Sequence, residues 1–227
     1  MDKTVVVVPM YNEGPVVAEV LAALRASFTR IVCVDDGSAD DSAAVARSAG
    51  VLVLRHSVNL GQGAALQTGF DYVLRHTDAT HAVTFDADGQ YRVDDAVAMV
   101  EVAAATGVDI VLGSRNLGRT EGQPVARRIL MRSALAFSRR STGLELTDTH
   151  NGLRVLNRRA LAAMCLRQRG MAHASEIESR IRSADLSWRE HPITMTYTDY
   201  TRRKGQSNIN ALNVVFDLAA ERIGATL

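Results

Sequence analysis

The feature that most constrains this chain is an alternation. Over residues 1–114, short runs rich in Val and Ile at 4–9, 30–35, 51–55, 81–86 and 109–114 are each too short for a helix. Longer amphipathic stretches at 14–26, 40–49, 61–76 and 93–106 separate them. Strict β/α alternation predicts an α/β fold whose parallel, doubly wound sheet is covered on both faces. Ligands of such sheets sit beyond the carboxyl ends of the strands, so chemistry is expected in the residues that follow each run.

After residue 114 the alternation breaks. Gly118 and Gly122, with Asn116 and Thr120, mark a loop over 117–122 before Pro124 opens an Arg-rich helix over 124–140. A turn carrying Asp148 and Gly152, helices at 158–166 and 173–184, a strand at 188–195 and a last helix at 207–224 follow. No repeat or long linker divides the chain. The expectation is one domain over 1–206, with parts at 1–115 and 116–206, plus a C-terminal helix at 207–227.

At 227 residues and 47% hydrophobic content the chain can bury one substantial core. Its apolar stretches are far shorter than the roughly 18 residues of a membrane span, and its start lacks the pattern of a signal peptide, so a cytoplasmic location is expected. Cys33 and Cys165 have neither metal-ligand nor disulfide spacing and are expected to be buried reduced thiols. Charge is segregated: residues 1–110 carry 7 basic against 15 acidic residues, and residues 111–227 carry 19 against 10. Opposed halves suit a metal-bridged phosphate ligand between them, although the arginines could equally solvate helix faces. No nucleic-acid partner is expected.

The first strand ends in Pro9-Met10-Tyr11-Asn12-Glu13, where Pro9 is expected to stop the ladder and deliver a flat ring and a carboxylate to the ligand edge. The second ends in Val34-Asp35-Asp36-Gly37-Ser38, whose acids either grip ribose hydroxyls or precede a helix capped by Ser38 or Asp40. The strongest signal is Asp86-Ala87-Asp88-Gly89-Gln90 after the fourth strand. On an extended backbone, Asp86, Asp88 and Gln90 point the same way and converge three oxygen donors on Mg²⁺ or Mn²⁺; the alternative is an acidic turn before the next helix. Asp94 and Asp95 suit the helix dipole better.

Two common nucleotide folds are excluded. A dinucleotide dehydrogenase needs a Gly-rich turn after strand one, where only Gly14 stands, and no Walker A sequence is present. Gly61-Gln62-Gly63 opens a helix after the third strand, either for close backbone approach to a ligand or as a tight turn.

With Gly113-Ser114-Arg115, these strand-end motifs resemble glycosyltransferase family 2 in order and approximate spacing. Asp148-Thr149-His150-Asn151-Gly152-Leu153-Arg154, Glu190-His191-Pro192-Ile193 and Arg202-Arg203-Lys204-Gly205-Gln206-Ser207 are similar to the second half of dolichyl-phosphate mannosyltransferases and bacterial polyprenyl-phosphate relatives. The resemblance implies a GT-A-like, Rossmann-type, mostly parallel sheet with a C-terminal amphipathic helix, residues 1–115 being the nucleotide-sugar half and 116–206 the acceptor half. It implies that Pro9, Tyr11, Glu13, Val34 and Asp36 surround the nucleoside of a GDP or UDP sugar, and that Asp86, Ala87, Asp88 and Gln90 bind metal and diphosphate. Arg115 and Arg202 would meet phosphate groups, to which a guanidinium fork is suited. Asn208 stands where the family often has Lys, and Tyr91-Arg92-Val93 where it often has a His-Pro-Pro-like stretch.

The implied reaction is inverting hexose transfer to polyprenyl phosphate, with Asp88, Arg115 and Arg202 as catalytic groups. An anionic acceptor needs no strong base; a hydroxyl acceptor would need one, for which Asp148 and Glu176 are candidates. A noncatalytic sugar-nucleotide binding subunit is the third reading, against which the intact acids argue. The basic stretch at 198–206 is either a lid over the diphosphate or a solvated connector. Ile209, Leu212, Phe216, Ala219 and Ile223 form an apolar stripe to be covered by the core, an integral-membrane partner, a second copy in a homo-oligomer, or the bilayer surface. Arg127, Arg128, Arg132, Arg139 and Arg140 could draw anionic headgroups, with Arg127, Arg132 and Asp148 near the acceptor phosphate. Peripheral, salt-sensitive association with the cytoplasmic face of the membrane is therefore expected.

Overall fold

A computed structural model describes residues 1–121, 135, 139, 143–149, 151–168, 172–197 and 200. Its elements are β1 (Thr4–Met10), α1 (Gly14–Arg25), β2 (Arg30–Asp35), α2 (Ser42–Ser48), β3 (Leu52–Arg55), α3 (Gln62–His76), β4 (His81–Thr84), α4 (Val93–Thr106), β5 (Ile110–Glu121), β6 (Arg154–Asn157), α5 (Arg158–Ala163), α6 (His173–Ser183) and β7 (Trp188–Thr196). The strands form one sheet in the order β3-β2-β1-β4-β6-β5-β7. β1 pairs in parallel with β2 and β4, β2 with β3, and β5 with β7, whereas β6 runs antiparallel between β4 and β5.

β1 is the axis of this sheet, and all seven of its residues are buried. Alternate side chains leave a strand on opposite faces, so its apolar run feeds two cores. Val6, Val8 and Met10 join Val17, Leu21, Leu24 and Met99 of α1 and α4. Val5 and Val7 join Leu66, Phe70 and Val73 of α3, with Leu161 of α5 and Ile177 of α6. α3 lies close on β1 because position 69 is glycine: a Cβ there would run into Val7 Cγ1. Leu→Ala or Phe→Ala changes in such packed interiors cost about 2–5 kcal/mol.

Four expectations need correction. The loop anticipated at 117–122 is the far part of β5, which bulges after Ser114 and resumes pairing with β7 at Arg119↔Thr194. The glycine and polar residues that suggested a loop supply the irregularity of a bulge. β4 ends at Thr84, so Asp86 lies in the following turn and not on a strand. β6 had no counterpart in the sequence analysis, being four residues that open on Arg154. Cys33 is buried as expected, but Cys165 is exposed and follows α5 instead of lying within a helix.

Among the described residues no helix is long and apolar enough to cross a membrane. The segments 122–134 and 201–227, with Arg127, Arg132, Arg202 and the anticipated C-terminal helix, lie outside the described residues.

Candidate active site

The carboxyl ends of β1, β2 and β4 meet at one edge, and loops bolted to one another form its wall. After β1 the chain turns at Asn12, whose φ of 52° is left-handed. Asn12 N–H donates to Ser38 Oγ (2.9 Å), Glu13 N–H to Ser42 Oγ (2.8 Å), and Ala39 N–H returns a bond to Asn12 Oδ1 (2.9 Å). Ser38 thus braces neighbouring loops, while Asp40 accepts from Gly14 N (3.1 Å) and from Ser42 N (3.0 Å), the first amide of α2, whose N-cap residue Asp41 makes no side-chain bond. Tyr11 stands 43% exposed on this wall.

Pro9 does not stop the β1–β2 ladder, which runs on through Pro9↔Val34 to Met10↔Asp35. Met10 O accepts from Asp36 N, so by strand alternation Pro9 turns its missing N–H toward β4, whose pairing ends with Val7↔Thr84. The side chains of Pro9 and Val34 are buried within the sheet, and Ala87 packs into the core.

Asp36 is also buried, and its carboxylate is fully engaged. It bonds His56 Nδ1 (2.7 Å) and accepts from Leu60 N (2.9 Å) and Gly61 N (2.7 Å), while His56 Nε2 meets Thr68 Oγ1 (2.9 Å). Its work in this structure is to clamp the β3–α3 loop against β2. That clamp sets Gln62, whose Nε2 donates to Asp86 Oδ1 (2.8 Å).

Asp86 and Asp88 do not alternate along a strand. The chain turns at Ala87 and Asp88 and passes through Gly89 at φ 73°, so the extended-backbone argument for their convergence with Gln90 fails. Asp88 is half-buried and accepts from Gln90 N (3.1 Å); Gln90 is buried, its carbonyl held by Thr196 N (3.0 Å). Burial pushes the Asp86 carboxyl above the usual range and the Glu13 charge adds to this, opposed by Arg154 and by hydrogen bonds from Tyr91 and Gln62. Tyr200 returns to the same edge, its hydroxyl donating to Glu13 Oε2 (2.7 Å). Burial raises its pKa, with further pushes from Glu13, Asp40 and Asp88.

Among the described residues no three His, Cys, Asp or Glu side chains gather closely enough to hold a metal alone. The donor set nevertheless fits a hard cation whose shell is completed elsewhere: two carboxylates, an amide oxygen at Gln90, and the added negative field of Glu13.

The ends of β5 and β6 are built differently. Arg115, 8% exposed, grips Asp148 bidentately (Nε–Oδ2 2.7 Å, Nη2–Oδ1 2.6 Å) and also donates to Thr149 O (2.8 Å). Burial alone would raise the Asp148 carboxyl, but the Arg115 hydrogen bonds and charge outweigh it and hold the group low. A carboxylate so saturated is a poor base, and Arg115 is a buried ion-pair partner in this structure, not an open phosphate fork. Glu176, the other candidate base, accepts from Arg167 N and Gln168 N (both 2.9 Å) and pairs with Arg180.

Gln62, Tyr91, Gly152 and Arg154 surround Asp86 and were not singled out in the sequence as site residues. Arg154 is 4% exposed, and its Nη1 lacks a hydrogen-bond partner among the described residues. Burial lowers its pKa while Tyr91, Asp86, Glu178 and Asp148 sustain its charge. Its only sequence signal was its place at the end of the Asp148–Arg154 motif. A cavity of about 460 Å³ lies away from this edge, at the amino ends of β1 and β2, lined in part by Arg25, Arg30, Tyr72 and Asp78.

Residues 5–164 match the family described as Glycosyl transferase family 2. The chain is 26% identical over 251 residues to UDP-N-acetylglucosamine–dolichyl-phosphate N-acetylglucosaminyltransferase of Methanococcus voltae, covering 100% of this chain and 99% of that one. It is 29% identical over 232 residues to polyprenol monophosphomannose synthase of Mycolicibacterium smegmatis, covering 94% and 83%. Its fold superposes on glucosyl-3-phosphoglycerate synthase of Mycobacterium tuberculosis, solved with Mn²⁺ and UDP-glucose, with a TM-score of 0.66 at 18% identity over 87% of this chain and 72% of that one. The mixed seven-stranded sheet, the acidic edge at its strand ends and the match over residues 5–164 place this chain in glycosyl transferase family 2, as a glycosyltransferase of the GT-A fold.

Proposed function

We propose that this glycosyltransferase moves a hexose from a nucleoside diphosphate sugar, carrying GDP or UDP, to a polyprenyl phosphate, with Mg²⁺ or Mn²⁺ and with inversion at the anomeric carbon. The observation that carries the acceptor choice is the state of the candidate bases. Asp148 is saturated by Arg115 and Glu176 caps two backbone amides, so neither is disposed to take a proton from a hydroxyl. A phosphate monoester arrives already ionised and needs no such base. The dolichyl-phosphate and polyprenol enzymes named above support the same acceptor class.

In this reading Tyr11 offers its exposed ring to the base, and Asp36 acts on the nucleoside through the loop it clamps. Asp86, Asp88 and Gln90 would hold the cation, which when bound would neutralise charge on the departing diphosphate. Tyr200 fixes Glu13 at the rim and brings the chain back to the nucleotide edge two residues before Arg202, proposed to meet the diphosphate. Arg127 and Arg132 are proposed to attract the acceptor headgroup during peripheral contact with the cytoplasmic face of the membrane, with an integral-membrane partner or a second copy assisting.

The test is turnover by purified protein with Mn²⁺ or Mg²⁺, a panel of GDP and UDP sugars, and short-chain polyprenyl phosphate. Formation of a lipid-linked sugar of inverted anomeric configuration supports the proposal. Transfer to hydroxyl acceptors only would overturn the acceptor assignment. Vesicle sedimentation of wild type against a variant with Arg127, Arg128 and Arg132 changed to Glu tests the membrane contact, which should weaken with charge reversal and with salt.

A further inference from the structure

Asp86 owes its position to a strand from the other half of the chain. The antiparallel β4–β6 register runs Ala82↔Leu156, Val83↔Val155, Thr84↔Arg154, and just beyond its last pair the backbone at Gly152 comes against Asp86. Thr84 Oγ1 donates to Gly152 O (2.5 Å), and Gly152 N–H donates to the Tyr91 hydroxyl (2.8 Å). The same hydroxyl favours the charged form of Asp86, and the Tyr91 ring is steadied edge-on by Phe85, with centroids 5.8 Å apart. A Cβ at position 152 would lie 2.8 Å from Asp86 Cγ and 2.9 Å from Oδ1, and nearer still to Oδ2. Asp86 therefore lies over a backbone that has no side chain there. Swinging away would sacrifice its bond from Gln62.

We propose that Gly152 and Tyr91 are positioning residues for Asp86: the segment leading into β6 supplies a side-chain-free floor, Tyr91 holds that floor through the Gly152 amide, and together they fix the carboxylate in the orientation the cation requires. The inference rests on the reading of Asp86 as part of the metal and diphosphate edge. It assigns the glycine of the Asp148–Arg154 segment to the donor side of the reaction, although that segment lies in the acceptor half.

The experiment measures binding of UDP and of GDP by calorimetry, with and without Mn²⁺, for wild type, Gly152→Ala, Tyr91→Phe and Asp86→Asn, with thermal melts alongside. Gly152→Ala should weaken Mn²⁺-dependent nucleotide binding at least tenfold and Tyr91→Phe about threefold, while metal-free nucleotide binding stays within twofold of wild type. Wild-type Mn²⁺-dependent binding by folded Gly152→Ala overturns the proposal. So does equal weakening with and without Mn²⁺, which would mean general damage to the site. If Gly152→Ala fails to fold, Tyr91→Phe decides, and unchanged Mn²⁺-dependent binding overturns the proposal. If Asp86→Asn binds Mn²⁺ and nucleotide like wild type, Asp86 is no part of that edge and both readings fall; if Asp86→Asn is weakened and the other two are not, only the positioning role falls.

Discussion

Two acids at the carboxyl end of one sheet have been given opposite environments. Asp148, beside β5 and β6, is buried with both oxygens taken by Arg115 and further N–H groups around them. Asp88, after β4, is half-buried in a turn among Glu13, Asp86 and the Tyr200 hydroxyl, where negative charge accumulates. An acid gripped bidentately by a buried arginine holds a loop in place, whereas acids gathered with like charge raise the local attraction for a cation. The β5–β6 side of the sheet has stiffened its charges into scaffold, and the side after β4 is the one to which the proposed function assigns the cation.

The largest effect should come from breaking the scaffold pair. Arg115→Ala leaves Asp148 buried without its counter-charge and should lose about 3–5 kcal/mol of stability, measured by urea denaturation. A combined Arg115→Met, Asp148→Leu variant should recover most of it, because both desolvation costs vanish together. If Arg115→Ala instead unfolds like wild type and only turnover collapses, Arg115 belongs with the ligand-binding charges and the contrast fails.

Asp88→Asn should reverse the pattern. Turnover should fall about 100- to 1,000-fold, the scale of losing one strong electrostatic contact in a transition state. Stability should stay within about 0.5 kcal/mol of wild type. Full activity of this variant in a chelator would remove the cation from the donor edge.

Acid should separate the two sides without mutation. The Asp148 carboxyl is held below its ordinary 3.8, so the stability it contributes is fully present above that value and is lost as pH falls through the lower folded value. Denaturation midpoints taken from pH 6 down to 2 should show this loss in wild type and a flatter profile in the Arg115→Met, Asp148→Leu variant. The smallest effect belongs to Tyr200→Phe, which removes the donor to Glu13 Oε2 and should raise the KM for nucleotide sugar about threefold, roughly 0.7 kcal/mol, with kcat little changed.

The first half of the fold was legible because its strands announce themselves. β1 and β2 are Val/Ile runs buried on both faces, and α4 begins and ends at the residues its amphipathic pattern specifies. β6 was not legible: four residues beginning with an arginine hold too few periods to separate strand from turn, and the strand exists only because β4 and β5 leave a gap for it. The site divides the same way. Tyr11, Glu13, Asp86 and Asp88 follow directly from strand ends, a local property. The locking of Arg115 by Asp148 spans 33 residues, and the support of Asp86 by Gly152 depends on a register that no local pattern encodes. Sequence motifs pointed to acids that the fold brings to this edge and left open which of them are held in internal ion pairs.

The late insertion of β6 also bears on how the chain is made. Residues 81–84 and 154–157 pair side by side, so while the protein is being synthesised β4 must wait some seventy residues for its neighbour. During that interval one side of β4 offers unpaired N–H and C=O groups beside the most apolar part of the chain, the kind of edge that recruits strands from other molecules. A fragment ending near residue 121 would retain every acid of the donor edge and still carry this open flank. Residues 1–121 are therefore no separable module: expressed alone they should aggregate, and supplying the remaining residues as a second chain should be the way to rescue them.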